Sequence, residues 1–241
     1  MTTLYIAWQD LKGRRWYPVG RLSFDGEAYR FVYTKGAQRS PNFIPFGRML
    51  DLDTPYESKE LFPLFANRLL GKTRPEYNAF LRWLNLSHNE DHPLVLLALT
   101  GGGRETDSLE VFPCPEKASD GTYILHFFSH GIRYLPEQVL QHINHLCVEE
   151  RLLLLPDPQN PYDAHAVALR SASPALIVGY CPRYLSRDFL RLLSTGRETT
   201  KVTVVKVNGD APIQLRLLCK ITANWPENFQ PCADEDYEAL A

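Results

Sequence analysis

The 241-residue sequence has little sulfur, no long apolar run and no excess of either charge. A membrane-spanning helix needs about 18 consecutive uncharged apolar residues; the longest runs here are short, such as residues 94–99 and 152–155. Lys and Arg number 26 against 28 Asp and Glu, a formal net charge of −2, which excludes coating nucleic acid through bulk positive charge. Any nucleic-acid contact has to be local. The five cysteines, Cys114, Cys147, Cys181, Cys219 and Cys232, are odd in number, widely spaced and without a CxxC pair. That pattern argues against a zinc site or a disulfide framework and fits free thiols in a reducing, cytoplasmic compartment. Met1-Thr2-Thr3 leads straight into Leu4-Tyr5-Ile6-Ala7-Trp8, without the basic region and longer apolar core of a signal peptide. What is plentiful is hydrophobic residue, 44% of the chain, enough to exclude a disordered protein.

The length suits one large domain or two of about 120 residues. Residues 4–8, 16–23 and 28–33 read as strands, with Tyr29, Phe31 and Tyr33 alternating at a period of two and Asp25-Gly26 as a hairpin turn. Residues 39–45 read as a turn. Leu61, Phe62, Phe65, Leu69 and Leu70 predict a helix capped by Gly71, and Thr73-Arg74-Pro75-Glu76 a capping box opening the next. Residues 95–99 are a buried strand or helix, Gly101-Gly102-Gly103 a turn, and 109–112 a strand. Proline and polar residues mark 113–121 as a linker. Strands follow at 122–128, 151–155, 166–170 and 176–180, and helices at 136–148 and 185–193. Asn208-Gly209 predicts a hairpin between strands 201–207 and 213–221. Glu227, Asp234, Glu235, Asp236 and Glu238 make 226–241 an acidic tail.

Several motifs fail on inspection. Gly71-Lys72-Thr73 resembles the end of a P-loop, but Ala66 stands where the first glycine is needed and no strand precedes it. His142 and His145 are spaced to share a metal on one helix face, yet no third ligand lies nearby.

Between residues 131 and 183 the loops collect a different set. Gly131-Ile132-Arg133-Tyr134 leaves one strand, Pro158-Gln159-Asn160-Pro161-Tyr162-Asp163-Ala164-His165-Ala166-Val167 joins two others, and Gly179-Tyr180-Cys181-Pro182-Arg183 ends a third. Tyr134, Tyr162 and Tyr180 have the chemistry to stack on bases, Arg133 and Arg183 to meet phosphates, and Asp163 to accept from a sugar hydroxyl. The alternative is purely structural: Asn160 and Asp163 brace the loop through Asx turns and Tyr162 packs inward.

These three motifs together resemble the HIRAN domain, over residues 122–225. The resemblance implies a small OB-like β-barrel with short helices that grips single-stranded DNA at its 3′ end. It gives Tyr134 and Tyr162 base-stacking roles, Asp163 the terminal 3′ hydroxyl, and Arg133 and Arg183 phosphate, with Asn160 and Tyr180 in the same set. One departure stands out: His165 occupies a position where the family pattern has Asn.

Residues 1–112 are similar to another family, the N-terminal subdomain of bacterial HipA toxins and the separate HipS proteins. The resemblance is carried by Val19-Gly20-x-Leu22, Tyr29-x-Phe31-x-Tyr33, Pro45-Phe46, the Leu61–Leu70 pattern and Gly103-Arg104-Glu105-Thr106-Asp107-Ser108. No Gly-rich phosphate loop, His-Arg-Asp or Asp-Phe-Gly-like site follows, so kinase activity is not implied. The resemblance implies instead a toxin–antitoxin setting with a HipB-like helix-turn-helix antitoxin as partner.

The expected architecture is α+β in two domains: a HipA-like sheet with helices over 1–112, a linker over 113–121, the barrel over 122–225 and the tail over 226–241. The expected function is a DNA-acting toxin, a deoxyribonuclease using Asp157, Asp163 and His165 with Mg²⁺ or another divalent metal, or as general base. The alternative is a non-enzymatic module that binds DNA ends and recruits a partner. The charges divide accordingly. Residues 1–120 carry 15 basic and 15 acidic groups, residues 121–225 carry 11 and 8, and the tail adds five acidic ones.

Overall fold

The computed structural model describes residues 2–13, 15–104 and 108–241. Glu105, Thr106 and Asp107 of the Gly103–Ser108 motif therefore lie outside the described residues. The chain forms two compact units, one of residues 1–81, 86–114 and 230–241, the other of 82–85 and 115–229.

In the first unit, β1 (Thr2–Gln9), β2 (Trp16–Phe24), β3 (Tyr29–Tyr33), β4 (Tyr56–Ser58) and β5 (Leu109–Pro113) form an antiparallel sheet ordered β4-β3-β2-β1-β5. Short helices α1 (Lys35–Arg39), α2 (Pro63–Ala66), α3 (Tyr77–Trp83) and α4 (Pro93–Thr100) accompany it. The Asp25 carboxylate closes the β2–β3 turn by accepting from the N–H groups of Glu27 and Ala28 at 2.8 and 2.9 Å. Leu4, Ile6, Leu22, Phe31 and Tyr33 bury one sheet face against Phe65, Leu94 and Leu97.

The helix expected over 61–70 is a single turn. Pro63 stands at its first position, where a missing N–H costs nothing, so Leu61 and Phe62 precede the helix. Thr73 does not cap α3: turn bonds from Arg74 N–H to the Gly71 carbonyl and from Tyr77 N–H to the Arg74 carbonyl, both 3.0 Å, take over that stretch. Residues 95–99 resolve as helix, because His92 caps α4 at its start and Gly101, at φ 70°, ends it. α1 has no counterpart among the elements expected from the sequence; it ends at Arg39, where the expected turn over 39–45 begins and continues without helix or strand.

The acidic C-terminal segment is tied to the first unit. Lys35 N–H donates to the Glu238 carbonyl at 2.9 Å and Leu240 N–H to that of Tyr33 at 3.0 Å. Glu238 pairs with Lys35, and Glu235 and Asp236 pair with Arg39. Tyr237 meets Tyr5 edge-on at 4.9 Å.

The second unit contains β6 (Thr122–Phe128), α5 (Glu137–Asn144), β7 (Arg151–Pro156), β8 (Val167–Arg170), β9 (Ile177–Tyr180), α6 (Ser186–Gly196), β10 (Lys201–Val207) and β11 (Leu217–Asn224). Its antiparallel sheet runs β6-β11-β10-β7-β8-β9. The two edges come together just beyond β6, where His130 and Tyr180 exchange both backbone hydrogen bonds at 2.9 Å. The sheet is thus curled into a barrel-like form around Tyr123, Phe127, Ile143, Val178, Phe189, Val202 and Ile221. Gly179 makes the closure possible. Its φ is +128°, and a Cβ there would lie 1.9 Å from Ser129 Oγ and 2.8 Å from the His130 carbonyl oxygen.

The Asn208-Gly209 hairpin is longer than a two-residue turn. Asn208 is buried and its amide donates to the carbonyls of Trp83 and Leu215, so the chain loops out over 208–216 before β11. Among the described residues no helix is long and apolar enough to cross a membrane.

Candidate nucleic-acid interface

Three segments meet around Tyr180. Its backbone bridges to His130, and Gly131, at φ 75°, turns the chain away beside its ring, where a Cβ would sit 3.5 Å from Cδ2. Its hydroxyl donates to Asp157 Oδ2 at 3.2 Å. Burial, reinforced by the neighbouring Asp157 carboxylate, raises the Tyr180 pKa above the ordinary phenol value. Tyr180 therefore holds the three motifs together and does not present a free face as Tyr134 and Tyr162 do.

The β7–β8 connection is braced by its own polar side chains. Asp157 N–H donates to the Ala166 carbonyl at 2.8 Å and shuts the base of the loop. Asn160 Oδ1 accepts from the N–H groups of Tyr162 and Asp163 at 3.0 and 3.2 Å. Asp163 Oδ1 accepts from His165 N–H at 2.9 Å. These are the Asx bonds of the structural alternative, but the other half of that alternative is overturned: Tyr162 points out, 69% exposed. The bonds fix the loop so that its tyrosine projects.

Two basic groups flank it. Arg183, on the short 3₁₀ turn Arg183–Leu185, donates to the Tyr162 carbonyl and lies 3.7 Å from Asp163 Oδ2. Arg133 lies 4.6 Å above the Tyr134 ring and bonds its hydroxyl. Tyr134 is 75% exposed. The site thus offers two projecting aromatic faces, one exposed guanidinium and one that clamps the loop.

Asp157, Asp163 and His165 do not converge as a metal set. Asp157 is taken up by Tyr180 and, at 3.3 Å, by the Asn160 amide; Asp163 by His165 N–H and Arg183. Among the described residues, no three His, Cys, Asp or Glu gather to hold an ion. These residues do not fit a divalent metal. His142 and His145 are equally separate, His145 being occupied with the Gln141 carbonyl at 2.7 Å.

Ser129 and His130 were not singled out by sequence. The Ser129 hydroxyl donates to the Val178 carbonyl at 3.0 Å and sets the closure. His130 keeps some exposed surface, yet its imidazole is enclosed by protein, and that desolvation pushes its pKa down to about 4. Only their place just before Gly131 could have signalled them.

The second unit is thus a small curled β-barrel with its polar motifs gathered at one closure. Residues 123–225, within the second unit, match the family model of the HIRAN domain. Among solved structures, the HIRAN domain of human HLTF is similar at 17% identity, over 44% of this chain and 81% of that one, with a TM-score of 0.32. No curated protein matches the chain.

Proposed function

We propose that the second unit binds single-stranded DNA at a free 3′ end. The observation that carries this reading is the pair of projecting tyrosines, Tyr134 and Tyr162, held on hydrogen-bonded loops of a HIRAN domain. Two tyrosine rings left exposed beside arginines offer stacking faces and positive charge to a planar, anionic partner. In this reading Tyr134 and Tyr162 stack on bases and Arg133 meets a phosphate. Asp163 accepts from the terminal hydroxyl, while Asn160, Tyr180 and Arg183 hold the loop in register. Fluorescence anisotropy with a short oligonucleotide tests it. Binding should weaken when the 3′ hydroxyl is replaced by phosphate and in Asp163→Ala; equal affinity for both ends would overturn the reading.

Deoxyribonuclease chemistry, the toxin–antitoxin setting and a HipB-like partner are the finer form of the proposal. The family match begins at residue 123, so the HipA-like reading of residues 1–112 rests on their sequence motifs. The engaged carboxylates of Asp157 and Asp163 favour binding over cleavage. Plasmid that stays intact with Mg²⁺ at high protein concentration supports binding alone. Nicking that EDTA or His165→Ala abolishes would restore the nuclease.

A further inference from the structure

The six strands of the barrel contain five basic residues, Arg151, Arg170, Lys201, Lys206 and Lys220, and no acidic one. The eight acidic groups of residues 121–225 all lie on helices, loops and connections. Register shows where most of the cations point. Arg151 of β7 stands opposite Thr203 of β10, Thr203 opposite Lys220 of β11, and Lys220 opposite His126 of β6. Directly paired residues share a face, so these four form one row across four strands. Two residues along β10, Lys201 begins a second row with Thr222 and Ile124. On the other side Arg170 of β8 stands opposite Leu153, which shares the Arg151 face. The intervening residues Val202, Val204, Cys219, Ile221, Leu125 and Phe127 are buried in the core, which makes the basic rows the outward face. Nearby acid is sparse on it: Glu149 reaches Lys220 at 4.0 Å, the outer limit of an ion pair.

We propose that this outward sheet face is a phosphate track for single-stranded DNA running away from the end-binding loop. The inference rests on the end-binding reading. Its second support is continuity. The hairpin β7–β8 carries the 157–166 loop at its tip, and the same hairpin carries Arg151, Leu153, Leu155 and Arg170 on its outward face. Leu155, 47% exposed, lies between the loop and the basic rows and offers an apolar surface to a base. At about 3.3 Å per residue, the five steps from Arg151 to Pro156 span roughly 17 Å, a length that only an oligonucleotide longer than the end itself can use. Folds of this size track about 4–16 nucleotides with basic grooves.

The test uses the full chain and two labelled oligonucleotides with free 3′ hydroxyls, one of about 4 nucleotides and one of about 12. Arg151→Gln/Lys220→Gln, with Arg151→Glu/Lys220→Glu as the stronger variant, should leave the short ligand's affinity unchanged. For the long ligand it should weaken affinity about tenfold and reduce the salt slope by roughly 0.7 for each phosphate that is no longer neutralised. Unchanged long-ligand affinity and slope would overturn the track while leaving end binding intact. Equal weakening for both lengths would also overturn it. Failure of the unaltered protein to bind either oligonucleotide would mean that the end-binding reading itself has fallen.

Discussion

The two units use tyrosine in opposite ways. In the first, Tyr5, Tyr29, Tyr33 and Tyr77 are all at least nine-tenths buried, and the Tyr33 hydroxyl donates to the Met49 carbonyl and accepts from Phe46 N–H, both at 2.7 Å. In the second, Tyr134 and Tyr162 stand free of the core while Tyr123 fills it. The same side chain is a strut in one place and a binding surface in the other. What decides between them is the backbone: strands and a helix that face a core bury the ring, while a 3₁₀ turn holds out Tyr134 and an Asx-braced loop holds out Tyr162.

The sharpest way to break this comparison is at Gly179. Gly179→Ala forces a Cβ into Ser129 and requires a left-handed backbone of alanine, so stability should fall by on the order of 3–4 kcal/mol in chemical denaturation. DNA binding should fail with it. Tyr33→Phe strands a buried carbonyl and a backbone N–H in the first unit, and should cost about 2–3 kcal/mol while leaving DNA affinity unchanged. If affinity fell too, the two uses of tyrosine would not be separable.

A pH titration comes next. His130 has a folded pKa of about 4 against 6.5 unfolded, so between those values the unfolded chain binds more protons. Its contribution to stability is complete above about 6.5 and is lost as pH falls towards 4. The loss at pH 5 is about 2 kcal/mol relative to pH 7.5. His130→Gln should flatten that part of the profile. The smallest effect is expected for Tyr162→Ala, which should leave the melting temperature unmoved and weaken oligonucleotide binding by about 1–2 kcal/mol.

Much of this arrangement was legible in the residues. The alternation of Tyr29, Phe31 and Tyr33 and the Asp25-Gly26 turn specified a hairpin because each is a local signal, although the strand is more buried than alternation implies, Val32 being buried as well. The three loop motifs were legible as a set, yet their spacing could not say that Tyr180 would hold the others from within while Tyr162 projected. That depends on the edge-to-edge pairing of His130 with Tyr180, fifty residues apart in sequence. The helix over 61–70 misled because its apolar periodicity is real but serves packing from an irregular segment, with Pro63 setting the start. Asn208-Gly209 misled for the opposite reason: the asparagine that usually turns tightly is spent on the Trp83 and Leu215 carbonyls.

The return of residues 230–241 to the first unit makes the second unit an insertion, joined through both of its chain ends instead of hung from one. A cut after residue 114 would leave residues 115–229 covalently tied only to residues 230–241 of the first unit. A fragment stopped at residue 121 would lack the segment that pairs with Lys35 and Arg39 and covers Tyr5. The first unit is completed only after the second has been threaded through, so in synthesis the barrel's sequence emerges before its neighbour has its last piece.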